Sequence, residues 1–101
     1  MSDIVKHIVW FKLKEGFTED QMDSVRDVMR TLRDIPCVAD VEFGSNMTQR
    51  TVHEICLIAH IEGKDNLSVY ADHPIHKQCV ADLKEFVDLS QTLAADFVNE
   101  L

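Results

Sequence analysis

The chain is short of positive charge and of long apolar runs. Ten lysines and arginines stand against 18 aspartates and glutamates, which gives a formal net charge of −8. Such a surface repels phosphate backbones and anionic lipid heads, so nucleic acids and membranes are not expected partners. No apolar run approaches the roughly 20 residues that span a bilayer. Because Met1-Ser2-Asp3 also lacks the basic start of a signal peptide, we expect a cytoplasmic protein.

Cysteine is scarce, and its three positions follow no metal-binding spacing. Cys37, Cys56 and Cys79 are odd in number, and each lies in an apolar stretch. We interpret them as reduced, buried thiols of an intracellular protein. A disulfide or a thiolate nucleophile is the alternative.

Glycine and proline are also rare, with three and two residues, and no linker or low-complexity segment interrupts the chain. Residues 1–101 are therefore expected to form a single domain. The hydrophobic content of 46% is more than one small monomer readily hides. This excess favours an oligomer.

Hydrophobic periodicity predicts a strand–helix–strand unit that occurs twice. Residues alternate with the period of a strand over 4–13, 38–43, 53–61 and 92–98. One helix is expected from a capping box at Thr18 and Gln21, and a second after Pro74, with Val80, Leu83 and Val87 on one face. The order β-α-β-β-α-β is the ferredoxin-like α+β pattern, a four-stranded antiparallel sheet with helices on one face.

The first and third predicted strands are apolar on both faces, but the helices can cover only one. The other face is expected to meet the sheet of a second copy or to line a cavity, and a homodimer satisfies both conditions. A charge at Val9 or Leu57 should then disrupt the dimer or the fold. Trp10 is expected to pack under a helix, whereas His53 and His60 are interpreted as solvated strand residues.

The stretch Tyr70-Ala71-Asp72-His73-Pro74-Ile75-His76, together with His7, carries the groups best suited to chemistry. Histidine exchanges protons near neutral pH, and Pro74 suits the first position of a helix. His7 lies in an apolar row, so it needs a partner, a water or a ligand. Purely structural roles remain open: His7 and His76 as hydrogen-bonded core histidines, and Tyr70 as a packed ring. His73 and His76 with Asp72 are a weaker metal alternative, and we expect no metal.

Five segments together resemble the stress-responsive A/B-barrel domain family. They are the following: Val5-Lys6-His7-Ile8-Val9, Phe11-Lys12-Leu13-Lys14-Glu15-Gly16, Ile35-Pro36-Cys37-Val38, Val41-Glu42-Phe43-Gly44, and Tyr70 to His76. The resemblance covers nearly the whole chain without large insertions. It implies a dimeric α+β barrel in which each subunit keeps an apolar pocket between sheet and helices.

One branch of that family includes olivetolic acid cyclase, and the resemblance to it suggests site residues. By position His76 would be the general base, assisted by Tyr70 and His7, and no cofactor would be required. Val9, Phe11, Leu57 and His73 are expected to contact the ligand. Where that branch has a further histidine and tyrosine, this chain has Ile55 and Met29, which removes two polar groups from the expected pocket.

Three functions remain open from the sequence. The first is a homodimeric stress-response protein that binds a small apolar or aromatic carbonyl compound without turnover. The second is a cofactor-independent acid–base enzyme, cyclase-like or lyase-like, with His76 as base. The third is a structural or assembly protein without a ligand. An accessible pocket containing His7, Tyr70 and His76 would favour the first two, and a sealed core there would favour the third.

Overall fold

The computed structural model describes residues 3–101, and two halves of similar build follow each other in this range. Met1 and Ser2, part of the segment in which no signal peptide is predicted, lie outside the described residues. The strands are β1 (Ile4–Leu13), β2 (Val38–Ser45), β3 (Ile55–Glu62) and β4 (Val87–Val98). The helices are α1 (Met22–Arg30), α2 (Asn66–Asp72) and α3 (Pro74–Leu83), and short 3₁₀ turns flank α1 at Glu19–Gln21 and Thr31–Asp34.

The four strands form one antiparallel sheet in the order β2-β3-β1-β4. This is the predicted ferredoxin-like α+β fold, and β1 has the predicted bounds. The two strands with apolar residues on both faces, β1 and β3, are the central pair. In the range that the structure describes, no helix combines the length and the apolar character needed to cross a membrane.

One face of the sheet carries the helices and the core. Val5, Val9 and Phe11 of β1 are buried there, and so are Ile55 and Leu57 of β3. Helix α1 adds a stripe of buried residues at helical spacing, which consists of Met22, Val25 and Met29. Val9 and Leu57 therefore belong to the core beneath the helices, and a charge at either position acts on the fold first.

The opposite face, which we call the open face, carries no helix in the described structure. Cross-strand register places Ile8 beside Ile58 and Trp10 beside Leu93 on this face. Leu93 is 57% exposed and Phe97 is 47% exposed, which is unusual for large apolar side chains. The expectation that Trp10 packs under a helix is wrong, because the alternation along β1 turns it to the open face.

Strand β4 begins five residues earlier than predicted, at Val87 instead of Thr92. The helical spacing of Val80, Leu83 and Val87 predicts that Val87 belongs to the last helix, and this prediction is wrong. Helix α3 instead ends at Leu83, and Val87 pairs with Leu13 at the start of the strand.

A large bulge interrupts the pairing of β4 with β1. Trp10 pairs with Leu93 and Lys12 pairs with Asp88, so residues 89–92 lie opposite the single residue Phe11. Asp88 Oδ1 accepts hydrogen bonds from the Ser90 hydroxyl and the Ser90 N–H, at 2.6 and 3.1 Å. Bulges of this kind redirect side chains and often lie beside functional sites.

His53 holds the other side of the bulge. It lies before β3, which begins at Ile55 and not at His53, and it is 8% exposed. Its Nε2–H donates to the Gln91 carbonyl at 2.8 Å. The interpretation of His53 as a solvated strand residue is therefore wrong, since this imidazole is a buried anchor for residues 89–92. His60 lies on the open face, with Nε2 2.7 Å from Glu42 Oε2.

Candidate functional site

A cavity of about 190 Å³ lies between the helix face of the sheet and the helices α2 and α3. Side chains from β1, β3 and β4 form its floor, and Tyr70 and α3 form its roof. An apolar cavity of about 150 Å³ is large enough to bind benzene. This cavity is therefore of a size for a molecule with about one ring.

The structure brings six of the seven predicted site residues together in the wall of this cavity. His7, Tyr70 and His76 contribute the polar groups, and Val9, Phe11 and Leu57 contribute apolar surface. The remaining residue, His73, does not line it. Met29 and Ile55, where the cyclase branch has polar residues, are fully buried in the core and lie outside the cavity wall.

His73 is the N-cap of α3. Its backbone is extended, and its Nδ1 accepts a hydrogen bond from the Ile75 N–H at 3.1 Å. Pro74 follows as the first helical residue, where its missing N–H is no loss. This arrangement starts α3 so that His76 lies in its first turn, beside the cavity.

The ring of His76 is fixed in one orientation by the backbone of α2. Its Nδ1 lies 3.0 Å from the Ala71 carbonyl oxygen. A carbonyl oxygen only accepts, so Nδ1 carries the hydrogen and Nε2 of the neutral ring keeps its lone pair. Burial lowers the pKa of His76; the Ala71 hydrogen bond opposes that shift and nearby His7 adds to it. The ring is therefore neutral at pH 7 and its Nε2 is available as a base.

Tyr70 lies between the two histidines. Its ring centroid is 5.5 Å from that of His7 and 4.6 Å from that of His76, and the residue is only 3% exposed. Burial raises the pKa of the Tyr70 phenol, so it keeps its proton at neutral pH. No hydrogen-bond partner for this hydroxyl is present among residues 3–101, which leaves it free to donate to a ligand.

Asp96 of β4 completes this polar end of the cavity by holding His7. Its Oδ1 lies 2.6 Å from His7 Nδ1. A carboxylate only accepts, so His7 donates from Nδ1 and the ring is held in one orientation. Asp96 is not among the predicted site residues, because its proximity to His7 depends on the pairing register of β1 and β4.

The Cys79 thiol lies in the cavity wall, one turn after His76. Burial, with a smaller contribution from Asp82, raises the pKa of Cys79 to about 12. Burial also raises the pKa of Cys37 and of Cys56. Since the thiolate is the reactive form, none of the three thiols is poised as a nucleophile. All three are free, but only Cys79 is fully buried.

The bulge of β4 supplies a part of the wall that the sequence does not predict. Leu89 and Thr92 both line the cavity, close to Phe11. The Thr92 hydroxyl oxygen is closed off from solvent and has no hydrogen-bond partner in the described part of the chain. The remaining unpredicted wall residues are Leu32, Cys79, Val80, Leu83 and Ala94.

Solved structures with the same fold come from bacteria and plants. A dimeric ferredoxin-like protein of unknown function from Thermobifida fusca matches with a TM-score of 0.82 at 22% identity, covering 98% of this chain and 93% of that one. A dimeric protein of unknown function from Bacteroides fragilis matches at 0.77 and 27% identity, with coverages of 95% and 96%. Hydroxynitrile lyase from Passiflora edulis matches at 0.83 and 14% identity, with coverages of 100% and 98%. The comparison with curated proteins gives no match.

The family resemblance is confirmed over almost the whole chain. The family model described as "Stress responsive A/B Barrel Domain" matches residues 5–99, a range that includes all four strands except Ile4, the first residue of β1, and every polar residue of the cavity. The ferredoxin-like sheet with helices on one face agrees with that assignment. The chain belongs to the stress-responsive A/B barrel domain family.

Proposed function

We propose that this protein is a homodimer that binds a small carbonyl compound in the cavity beneath α2 and α3. The observation that carries the proposal is the convergence of His7, Tyr70 and His76 at one end of a largely apolar space. Ligand sites typically combine apolar walls with a few placed polar groups. A purely structural protein would have little reason to keep a cavity at this position.

The polar groups define what the ligand must offer. The Tyr70 hydroxyl is a donor, so it suits a carbonyl oxygen. The Nε2 atom of His76 is an acceptor, because the neutral ring donates from Nδ1 to the Ala71 carbonyl. A compound with a carbonyl group and a nearby acidic hydrogen satisfies donor and acceptor together. The walls and volume favour an apolar body of about one ring.

The dimer part of the proposal rests on the open face. Its apolar side chains include Ile8, Ile58 and Trp10, and the more exposed Leu93 and Phe97 extend the same surface. Contiguous apolar surface of this kind usually marks an interface. The relatives from Thermobifida fusca and Bacteroides fragilis are dimeric, and we propose the same state for this chain. The cytoplasmic location also remains a prediction, in keeping with three free cysteines.

Native mass spectrometry of protein purified from its own host tests both parts. We expect a dimer that carries an extra small mass, released on denaturation. Ala94→Phe should abolish the extra mass by filling the cavity from its wall, whereas Ala81→Phe, on the exposed surface of α3, should retain it. A clean monomer would contradict the dimer. An extra mass that persists in Ala94→Phe would place the ligand elsewhere.

A second candidate is general-base catalysis at the same site. The observation that favours it is the orientation of His76, whose Nδ1–H is held by Ala71 while Nε2 stays unprotonated. Such a ring can remove a hydrogen next to a carbonyl while Tyr70 donates to the developing enolate oxygen. The structurally similar protein from Passiflora edulis is a hydroxynitrile lyase. We take this as support for the proposal that a protein of this fold can catalyse a reaction.

Exchange of the methyl hydrogens of acetophenone for deuterium in D2O separates binder from enzyme. If His76 is a base, exchange followed by NMR should be faster with the protein than without it, and His76→Gln should remove the increase. The rate should rise with pH and level off near or below pH 6.5, because burial lowers the pKa of His76. Binding of acetophenone without faster exchange would leave the protein a binder.

A further inference from the structure

The end of the cavity that faces the bulge of β4 has a chemistry of its own. His7 and its partner Asp96 mark one end of the cavity, and Phe11 marks the other, four residues along β1. At about 3.3 Å per residue, the two ends are about 13 Å apart along the strand. The Cys79 thiol lies near the first end, with the two histidines and Tyr70. At the second end, the described wall has one polar side chain, which is Thr92.

Thr92 is unusual because its hydroxyl has no hydrogen-bond partner within the described range. Buried hydroxyls normally make a hydrogen bond, and an unsatisfied one is unfavourable. Thr92 Oγ1 is the one buried side-chain oxygen or nitrogen without a partner among residues 3–101. Its residue forms part of the cavity wall, so a molecule in the cavity lies within reach of this side chain.

The backbone at Thr92 is held in place around this hydroxyl. On one side of the residue, Gln91 accepts a hydrogen bond from the buried His53, and further back Asp88 binds Ser90. On the other side, Leu93 returns to regular pairing with Trp10. The bulge thus fixes the position of Thr92, while the side chain can still rotate between staggered states that exchange hydroxyl and methyl. Rotation loses no hydrogen bond, because Oγ1 makes none.

We propose that Thr92 is a specificity-determining residue that binds a second oxygen of the ligand, at the opposite end from His7, Tyr70 and His76. This inference rests on the proposed ligand site and names its class more closely. The ligand has a carbonyl at one end of an apolar body and a hydroxyl or second carbonyl at the other. A single-ring compound with oxygen substituents across the ring meets that description and the cavity volume.

Acetophenone and its 3-hydroxy and 4-hydroxy derivatives test the inference by isothermal titration. The wild-type protein should bind at least one hydroxy derivative more tightly than acetophenone, by about three- to tenfold, the range of one hydrogen bond. Thr92→Val, which replaces the hydroxyl by a methyl, should bring the affinity for the hydroxy derivatives down to the affinity of the same variant for acetophenone. Thr92→Ser should keep the preference. Thr48→Val, at an exposed loop position, is the matched control and should behave as the wild type.

The stability of the unliganded variants distinguishes a structural role of the Thr92 hydroxyl from a role in ligand binding. Removal of an unsatisfied buried hydroxyl should leave the thermal midpoint of Thr92→Val equal to or above that of the wild type. A lower midpoint with unchanged ligand preference would show a structural hydroxyl and overturn the inference. Equal binding of all three ketones by the wild type would also overturn it, while the proposed ligand site would stand. Binding of none of them would contradict the proposed ligand class and the role of Thr92 with it.

Discussion

At the scale of single residues, Tyr70 combines two roles in one side chain. Its ring is part of the core and packs against His7 and His76, while the residue lines the cavity and its hydroxyl has no hydrogen-bond partner among residues 3–101. The ring therefore stabilises the fold, and the hydroxyl is available to a ligand. These two roles can be separated by removing one oxygen atom.

Tyr70→Phe should change the free energy of unfolding by less than about 1 kcal/mol, because within residues 3–101 the hydroxyl makes no hydrogen bond that the substitution would remove. Binding of acetophenone should weaken by about three- to tenfold, which is the range expected for one hydrogen bond. Urea denaturation and isothermal titration measure the two effects. A large loss of stability with unchanged affinity would mean that the hydroxyl serves the fold.

His76 gives the protein a pH dependence with a definite sign. Burial lowers the pKa of the folded His76 below its ordinary value of about 6.5. Between the two values the unfolded chain binds more protons, so stability rises with pH in that window. The contribution of the neutral His76 ring to the free energy of unfolding is complete above about pH 6.5. It is lost as the pH falls through the pKa of His76 in the folded protein.

The thermal midpoint of the wild type should therefore decrease as the pH is lowered from 7.5 to 5. The midpoint of His76→Gln should decrease less over the same range. Differential scanning calorimetry of both proteins over this range is the measurement. Parallel curves for the two proteins would show that the His76 ring is not desolvated in the folded state.

The chemistry of the site was readable from residue types, but its supporting groups were not. Histidine near neutral pH and a tyrosine beside a helix start suggested His7, Tyr70 and His76 directly. Asp96 reaches His7 only through the register of two strands distant in sequence, and Thr92 reaches the cavity only through a bulge. Neither register nor bulge has a local signal in the sequence, so these partners required the structure.

At the scale of elements, the start of α3 places the site. The His73 cap and Pro74 end α2 and begin α3 within a few residues, so that Ala71 at the end of one helix fixes His76 at the start of the next. A misplaced helix start would move His76 relative to Tyr70. The cap is therefore a structural residue with a functional consequence.

His73→Ala should lower the free energy of unfolding by about 1 kcal/mol, the usual effect of losing an N-cap. His73→Asn should retain the wild-type stability, because asparagine is among the preferred caps. Urea denaturation of the three proteins compares them directly. Equal stability of all three would show that the hydrogen bond to Ile75 contributes nothing net.

Helices and strands whose hydrophobic residues follow one clear period were predicted well. Segments whose pattern fits both a helix and a strand were not. Strand β1 alternates over ten residues and was predicted with its observed bounds. Residues 80–87 fit a helical spacing although the last of them begins β4, because three positions cannot distinguish one long helix from a helix followed by a strand. His53 looked like part of an alternating strand, and its burial depends on a carbonyl 38 residues away.

At the scale of the whole molecule, adjacent residues of β3 serve different surfaces. Leu57 faces the helices and is 3% exposed, whereas Ile58 lies on the open face beside Ile8 and Glu42. Core stability and proposed self-association are therefore encoded on alternate residues of one strand. The same substitution at the two positions should have different outcomes.

Ile58→Lys should give a folded monomer, because the new ammonium group lies beside Glu42 in the monomer but opposes burial against a second copy. Leu57→Lys should prevent folding, since it places a charge in the core. Circular dichroism and sedimentation velocity distinguish these results. A stable dimer of Ile58→Lys would place the interface on another surface.

Strand β4 borders two surfaces at once. Thr92 and Ala94 face the cavity, while Leu93 and Phe97 between and beyond them face the proposed second subunit. A shift of this one strand therefore alters a ligand contact and a subunit contact together. Binding and association are then thermodynamically linked. If the ligand strengthens association of the subunits, the dimer must bind the ligand more tightly than the monomer does.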